Sequence, residues 1–228
     1  MTASESWARR DIWVVIAAFH EGPVIAEVAA EVAAGGWSCV VVDDGSKDDT
    51  AARARAAGVT VLRHAVNLGQ GAALQTGIDL AVRRGARVIV TFDADGQHRA
   101  EDIPVMLEAL GDADIVLGSR FLGSIEGASK SREKLLRTAT VVSNKLSGLS
   151  LTDAHCGLRA FRVEVAPKLR ITQDRMAHAS EILAKIRASG LRVVEAPVTV
   201  RYTEHSKRKG QSGFQAVRIL FDYFFRAS

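Results

Sequence analysis

Ala86-Arg87-Val88-Ile89-Val90-Thr91-Phe92 runs without a break into Asp93-Ala94-Asp95-Gly96-Gln97-His98. A short apolar run rich in β-branched residues reads as a strand buried on both faces, and the acidic turn marks its carboxyl end. Side chains alternate along an extended chain, so Asp93 and Asp95 point to the same side and can share one divalent cation. Ligation by oxygen alone suits Mg2+ or Mn2+ rather than zinc. Taken by itself, Asp-Ala-Asp occurs often by chance and is more commonly a turn that caps the next helix. The surrounding sequence decides between the two.

Upstream, Ile12 to Ala18 is a second apolar run, followed by helical periodicity from Gly22 to Ala34 and a stop at Gly35-Gly36. Ser38 to Val42 is a strand, Asp48 or Asp49 opens a helix through Ala57, Val59 to Leu62 is a strand, and Gly69 to Arg84 a helix. Downstream come a helix from Glu101 to Leu110 and a strand from Asp114 to Leu117. Strict strand–helix alternation predicts an α/β fold, a mostly parallel sheet with helices on both faces. Past Arg120 the pattern loosens. A helix at Arg132 to Leu146, strands at Leu158 to Arg162 and Arg192 to Val200, a helix at Ala179 to Ala188 and an amphipathic helix at Gln215 to Arg226 make a mixed second half. No repeat or linker separates domains, so residues 1–228 read as one catalytic domain, with a nucleotide-sugar half at about 10–120 and an acceptor half at about 121–228.

The chain has 228 residues, 47% apolar and 25% charged, which supports a full core. Two cysteines, Cys39 and Cys156, make neither a disulfide framework nor a Cys-rich metal site; Cys39 reads as core, and Cys156 lies in a polar loop that can face a cleft. No apolar stretch approaches the roughly 20 residues that span a bilayer. A net charge of +4 does not argue for nucleic acid as a partner. The basic residues cluster instead, at Arg120, Lys130, Arg132, Lys134 and Arg137, and again at Arg201, Lys207, Arg208, Lys209 and Arg218. Each cluster is a solvated helix face or the seat of an anionic substrate or lipid headgroup.

In open α/β sheets ligands bind beyond the carboxyl ends of the strands. His20-Glu21, Asp43-Asp44-Gly45-Ser46, Asn67, Asp93-Ala94-Asp95 and Ser119-Arg120 all fall there. Asp43-Asp44 can accept hydrogen bonds from a nucleobase N–H or ribose hydroxyls, or serve the turn that Gly45 permits. Asn67-Leu68-Gly69-Gln70-Gly71 opens a helix whose amides can face phosphate, although a plain helix start explains it as well.

With these blocks assembled, the sequence resembles the family 2 glycosyltransferases of the GT-A fold, from Ile12 to about Phe225. The resemblance rests on Val41 to Thr50, Asn67 to Gly71, Phe92 to His98, Gly118 to Phe121, Thr152 to Arg159 and Glu195 to Val198. Asp-Ala-Asp-Gly-Gln-His and Gly-Ser-Arg-Phe are similar to dolichol-phosphate mannose synthases and bacterial polyprenyl-phosphate glycosyltransferases. The resemblance implies a nucleotide-sugar donor, UDP- or GDP-linked, with Asp43 or Asp44 on base and ribose. It places Asp93, Asp95 and Gln97 on the metal and diphosphate, and donor contacts at Ala17, Phe19, Glu21, Asn67, Gly71 and Ala94. Arg120 then holds the phosphate of a polyprenyl-phosphate acceptor together with Arg132 or, next in fit, Arg137. Lys207 and Lys209 resemble a basic loop closing over the donor; read from the residues alone, the segment is an exposed basic hairpin. The family's Pro-Ala-Tyr-Asn-Glu block reads Ala17-Ala18-Phe19-His20-Glu21 here, so Glu21 carries over while His20 replaces Asn. Many relatives continue into transmembrane helices and this chain stops at Ser228. The expectation is a cytoplasmic protein, peripheral at the membrane face, using its own surface, its last helix, or a separate small membrane subunit.

The expected reaction is a single inverting displacement of nucleoside diphosphate by the acceptor phosphate, which is already ionised and needs no strong base. Positioning and charge stabilisation, through Asp95 with its metal and through Arg120, then supply the catalysis. If the acceptor is a sugar hydroxyl of a glycan or small molecule, a carboxylate base is required, and Asp153 is the first candidate. A haloacid-dehalogenase-like phosphatase also carries Asp-x-Asp, but on its first strand; three strands precede it here. A sugar nucleotidyltransferase expects a Gly-rich loop with Arg after strand one, which Ala17 to Glu21 does not offer.

Overall fold

The computed structural model describes residues 7–174, 177–203 and 205. Within them run seven strands: β1 (Ile12–Ala18), β2 (Ser38–Asp43), β3 (Thr60–Arg63), β4 (Val88–Asp93), β5 (Ile115–Glu126), β6 (Arg159–Arg162) and β7 (Val193–Arg201). The helices are α1 (Ile25–Ala34), α2 (Thr50–Ala56), α3 (Gln70–Arg83), α4 (Ile103–Leu110), α5 (Lys130–Ser147) and α6 (His178–Ala188). All seven strands join one sheet in the order β3-β2-β1-β4-β6-β5-β7. β6 alone runs antiparallel, wedged between β4 and β5, so the sheet is mostly parallel and turns mixed in the second half as the pattern predicts.

The apolar runs are strands because helices cover both faces of the sheet. On β1, Val14 and Ile16 pack toward Ile25 and Val28 of α1 and Ile103 and Met106 of α4. Val15 faces the other way, toward Leu74 and Ile78 of α3 and Ile182, Leu183 and Ile186 of α6. Each fully buried aliphatic side chain is worth about 1.5–3 kcal/mol. A side-chain N-cap is worth about 1 kcal/mol, and neither α1 nor α3 has one. Packing on the sheet, not a side-chain cap, therefore holds these helices in place.

Three boundaries differ from the expectation for local reasons. The strand expected at Asp114 to Leu117 continues to Glu126, because β5 shifts register after Ser119 and pairs again with β7 from Ser124. Its outer half, Phe121 to Glu126, is mostly exposed and its apolar residues do not alternate, so no strand pattern announces it. Gly123 permits the pairing: a Cβ there would lie 2.2 Å from the Val198 carbonyl oxygen. The helix expected from Glu101 begins as a 3-10 turn at Ala100–Asp102, and α4 starts beside Pro104. The helix expected from Gly22 begins only at Ile25, after turns in which the Glu21 carbonyl accepts from Val24 and Ile25. The helix expected at Gln215 to Arg226, and Lys207, Arg208 and Lys209, lie outside the described residues.

Because β6 is reversed, its amino end meets the carboxyl ends of its neighbours, with Arg159 opposite Thr91 of β4. The loop that precedes β6, residues 152–158, is thereby delivered to the edge that carries Asp93 and Arg120. Among the described residues no helix is long and apolar enough to cross a membrane.

Candidate active site

Asp93 ends β4, and its two oxygens are held differently. Oδ2 lies 3.0 Å from His98 Nε2, and Oδ1 accepts from Gln70 Nε2 at 3.4 Å. Asp95 accepts from the Gln97 backbone at 3.0 Å and from Gln97 Nε2 at 2.5 Å. Burial works against ionisation of Asp93, but the hydrogen bond from His98 and the charges of His98, Arg159 and His178 prevail and hold its carboxyl below the usual range. Burial also acts on Asp95, where the negative charge of Asp93 adds to it and the carboxyl is pushed up to about 6. Glu21 contributes in the same direction. A cation between these groups would relieve that repulsion, so the donor set fits a divalent ion held by oxygens. Among the described residues no three Asp, Glu, His or Cys side chains form a metal cluster. Such an ion would take its remaining ligands from substrate and water, as Mg2+ and Mn2+ sites on phosphates do. Gly157 makes room here: a Cβ on it would fall 2.1 Å from Asp93 Oδ2.

At the end of β2 the adjacent carboxylates divide their work. Asp44 is saturated, accepting from Asn67 Nδ2 at 2.8 Å, Leu68 N at 2.9 Å and Gly69 N at 2.7 Å, with His64 Nδ1 2.7 Å away. It ties down the loop that leads into α3. Asp43 accepts from Ser46 N at 3.1 Å through Oδ1, while its buried Oδ2 makes no hydrogen bond. Arg63 Nε stands 3.1 Å from that oxygen as an ion pair. The turn between them needs Gly45 at φ 74°, where a Cβ would come within 2.5 Å of the Val66 carbonyl carbon. Gly71, expected to offer its amide to phosphate, donates to the Asp174 carbonyl at 2.7 Å instead, so the first turn of α3 is capped.

The end of β1 faces the same edge. Ala17 is half-buried between Val42 and Asp93 in the sheet register, and Ala94 is buried. Phe19 is 41% exposed, and its ring stacks at 4.2 Å on His20, which adopts φ 55°. His20 spends its polar groups locally, donating its backbone N–H to Ser46 Oγ and accepting from Lys47 N. The buried Glu21 carboxylate meets His205 Nε2 at 2.7 Å, so the chain beyond β7 reaches back across this edge.

On the far side of β4, Arg120 and Asp153 form a buried pair. Asp153 Oδ2 accepts from Arg120 Nε at 2.5 Å and Arg120 N at 3.1 Å. Burial pulls the Arg120 guanidinium down, but the charge of Asp153 and its hydrogen bond outweigh that, and the group stays charged. Arg120 Nη1 also donates to Tyr202 Oη at 2.9 Å. The loop carrying Asp153 is fixed by Glu195, whose carboxylate accepts from Thr152 N, Thr152 Oγ1 and Asp153 N at 2.8–3.0 Å. On α5, Arg132 lies 4.6 Å over the Tyr202 ring and Arg137 4.1 Å over the Phe121 ring. Arg137 is also paired with Glu133 at 2.9 Å. The Cys156 thiol is buried and pushed up to about 12, first by burial and then by the Asp153 charge, which leaves it inert rather than facing the cleft.

Two residues of this edge, Tyr202 and His178, carry no sequence signal of their own, while Glu195 and Arg159 fall inside blocks of the resemblance without a role assigned to them. Each meets neighbours in space that are remote in sequence, as Glu195 meets Thr152 and Asp153, and Tyr202 meets Arg120. A pattern along the chain does not bring them together.

One mostly parallel sheet that turns mixed in its second half, with helices on both faces, is the architecture of the GT-A fold. Residues 13–170 match the family model described as glycosyl transferase family 2. An uncharacterized protein of Methanocaldococcus jannaschii is 36% identical over 221 residues, 92% of this chain and 90% of that protein. Polyprenol monophosphomannose synthase of Mycolicibacterium smegmatis is 36% identical over 203 residues, 82% of this chain and 76% of that protein. Glucosyl-3-phosphoglycerate synthase from Mycobacterium tuberculosis, crystallised with Mg2+ and uridine diphosphate, superposes with a TM-score of 0.68 at 20% identity, covering 97% of this chain and 81% of that one. The chain belongs to glycosyl transferase family 2 and is a nucleotide-sugar-dependent glycosyltransferase.

Proposed function

We propose that the protein transfers a sugar from a UDP- or GDP-sugar to a polyprenyl or dolichyl phosphate, inverting the anomeric centre, with Mg2+ or Mn2+ at Asp93 and Asp95. The observation that carries this reading is the buried Arg120–Asp153 pair with Arg132 beside it, a fixed cationic seat on the acceptor side of the metal-type carboxylates. Relatives named for polyprenol-phosphate and undecaprenyl-phosphate mannosyl transfer support it. The divalent ions and uridine diphosphate found in the structurally similar synthase support the donor side.

Asp43 is the residue for the base, because its Oδ2 accepts no hydrogen bond and meets only the Arg63 guanidinium, whereas the four contacts of Asp44 make it the brace of the loop. Asn67 acts through that brace. A bound divalent ion supplies charge neutralisation on the departing diphosphate. Asp95 and Gln97 face that position, and Asp93 keeps its charge through His98. Arg120 and Arg132 hold the acceptor phosphate so that one of its oxygens lines up with the anomeric carbon. Lys207 and Lys209 belong to the donor diphosphate in this reading. A hydroxyl acceptor needs a free base, and Asp153 is committed to Arg120, which favours phosphate. Membrane contact would be peripheral, at the cytoplasmic face.

The test is incubation with a panel of UDP- and GDP-sugars, Mn2+ and a short polyprenyl phosphate, scored as sugar recovered in the lipid phase. Product with one donor, lost on adding EDTA, is expected. Absence of lipid-linked product with every donor, alongside transfer to a glycan hydroxyl, would reject it.

A further inference from the structure

Two guanidinium groups meet on one tyrosine. Arg120 Nη1 donates to Tyr202 Oη, and the Arg132 guanidinium stands over the same ring at 4.6 Å. The carboxylate available to them is Asp153, and Arg120 takes it. Among the described residues no carboxylate pairs with Arg132, whose backbone N–H is bound to Ser129. The cluster therefore carries one positive charge more than it balances, around an Arg120 and a Tyr202 that are only 7% and 6% exposed. Cations gathered at a poorly solvated place call for an anion.

The tyrosine hydroxyl has a second capacity. A phenol accepts and donates at once. Oη accepts from Arg120, and no acceptor for its own hydrogen lies among the described residues. That hydrogen is left for whatever anion the two arginines attract. The flanking residues fix Tyr202 against the donor side. Arg201 N donates to the Gln97 carbonyl at 2.9 Å, and His205 reaches Glu21 at 2.7 Å.

We infer that Tyr202 is a substrate-binding residue: its hydroxyl donates to an oxygen of the acceptor phosphate, while its oxygen and ring hold Arg120 and Arg132. This rests on the phosphate-acceptor reading given above. No bond is made or broken at Tyr202. Its hydrogen bond to a charged group strengthens acceptor binding and helps aim the attacking oxygen.

Tyr202→Phe keeps the ring under Arg132 and removes only the hydroxyl. With a short polyprenyl phosphate, KM for the acceptor should rise about tenfold, the loss expected of a hydrogen bond to a charged group. Donor KM, and hydrolysis of the nucleotide sugar by water without lipid, should stay within about twofold. Tyr202→Leu, which also removes the ring, should raise acceptor KM further. An unchanged acceptor KM in Tyr202→Phe overturns the inference. So does an equal fall in every parameter, water hydrolysis included, since that marks a packing role. Wild-type protein that glycosylates a neutral prenol as fast as the phosphate overturns the acceptor reading and the inference with it. A phosphate-selective wild type with a silent Phe variant overturns the inference alone.

Discussion

Asp93 and Asp95 are separated by one residue, and their surroundings act with opposite sign. His98, Arg159 and His178 keep Asp93 an anion, whereas burial and the charge of Asp93 raise Asp95 to about 6. A proton and a metal compete for the same carboxylate. Asp95 is ionised above pH 6 and protonated below it, so Mn2+ affinity, measured by calorimetry on the nucleotide-free protein, should hold above pH 7. Below pH 6 it should weaken, approaching about tenfold per pH unit. A flat profile from pH 7 to pH 5 would show that Asp95 is not a ligand. Asp93, Asp95 and Arg120 were legible because charged residues closing apolar runs stand out. Tyr202 was not, because an aromatic after a strand reads as packing until its partners are seen. The Asp43-Asp44 pair was half legible: the sequence supplied both carboxylates, and only the contacts separate Asp44, which braces the loop, from Asp43, which is ion-paired with Arg63.

At the scale of elements, α3 shows how closely the donor-side layer is packed. Gly77 lies on β1 and β2, where an added Cβ would come within 2.3 Å of Val15 Cγ1 and 3.2 Å of Val42 Cγ2. Alanine is favoured over glycine inside a helix by about 1 kcal/mol, but overpacking a filled core costs about 1–3 kcal/mol. Both valines are branched and fully buried, so the clash should win. Gly77→Ala should lower the midpoint of thermal unfolding, and a raised midpoint would show that α3 can move off the sheet. The order of strands and helices up to Leu117 was readable because two-faced burial makes long apolar runs. The outer half of β5 was not. It is mostly exposed, lacks apolar alternation and is broken by a register shift, and only its pairing with β7 makes it a strand.

For the whole molecule, the reversed β6 is what would turn the proposed nucleotide-binding half into the proposed two-substrate site. It carries the 152–158 loop to the sheet edge that already holds Asp43, Asp93 and Arg120, with Gly157 touching Asp93 and Asp153 taking Arg120. The alternation of elements predicted the parallel half, while the placing of β6 depends on contacts far apart along the chain. The central claim is that Asp93 and Asp95 at this edge hold a metal and the donor diphosphate. Asp95→Asn tests it cleanly. An acid whose pKa folding raises costs stability at neutral pH, so replacing it should leave the free protein no less stable. The measurement is the thermal shift on adding UDP or GDP, with and without Mn2+, in wild type and Asp95→Asn. At a hundredfold excess over the dissociation constant the expected stabilisation is about 2.7 kcal/mol. The account predicts that shift in the wild type with Mn2+, with little or none in its absence or in Asp95→Asn. A full shift in the variant, or one indifferent to Mn2+, would contradict it.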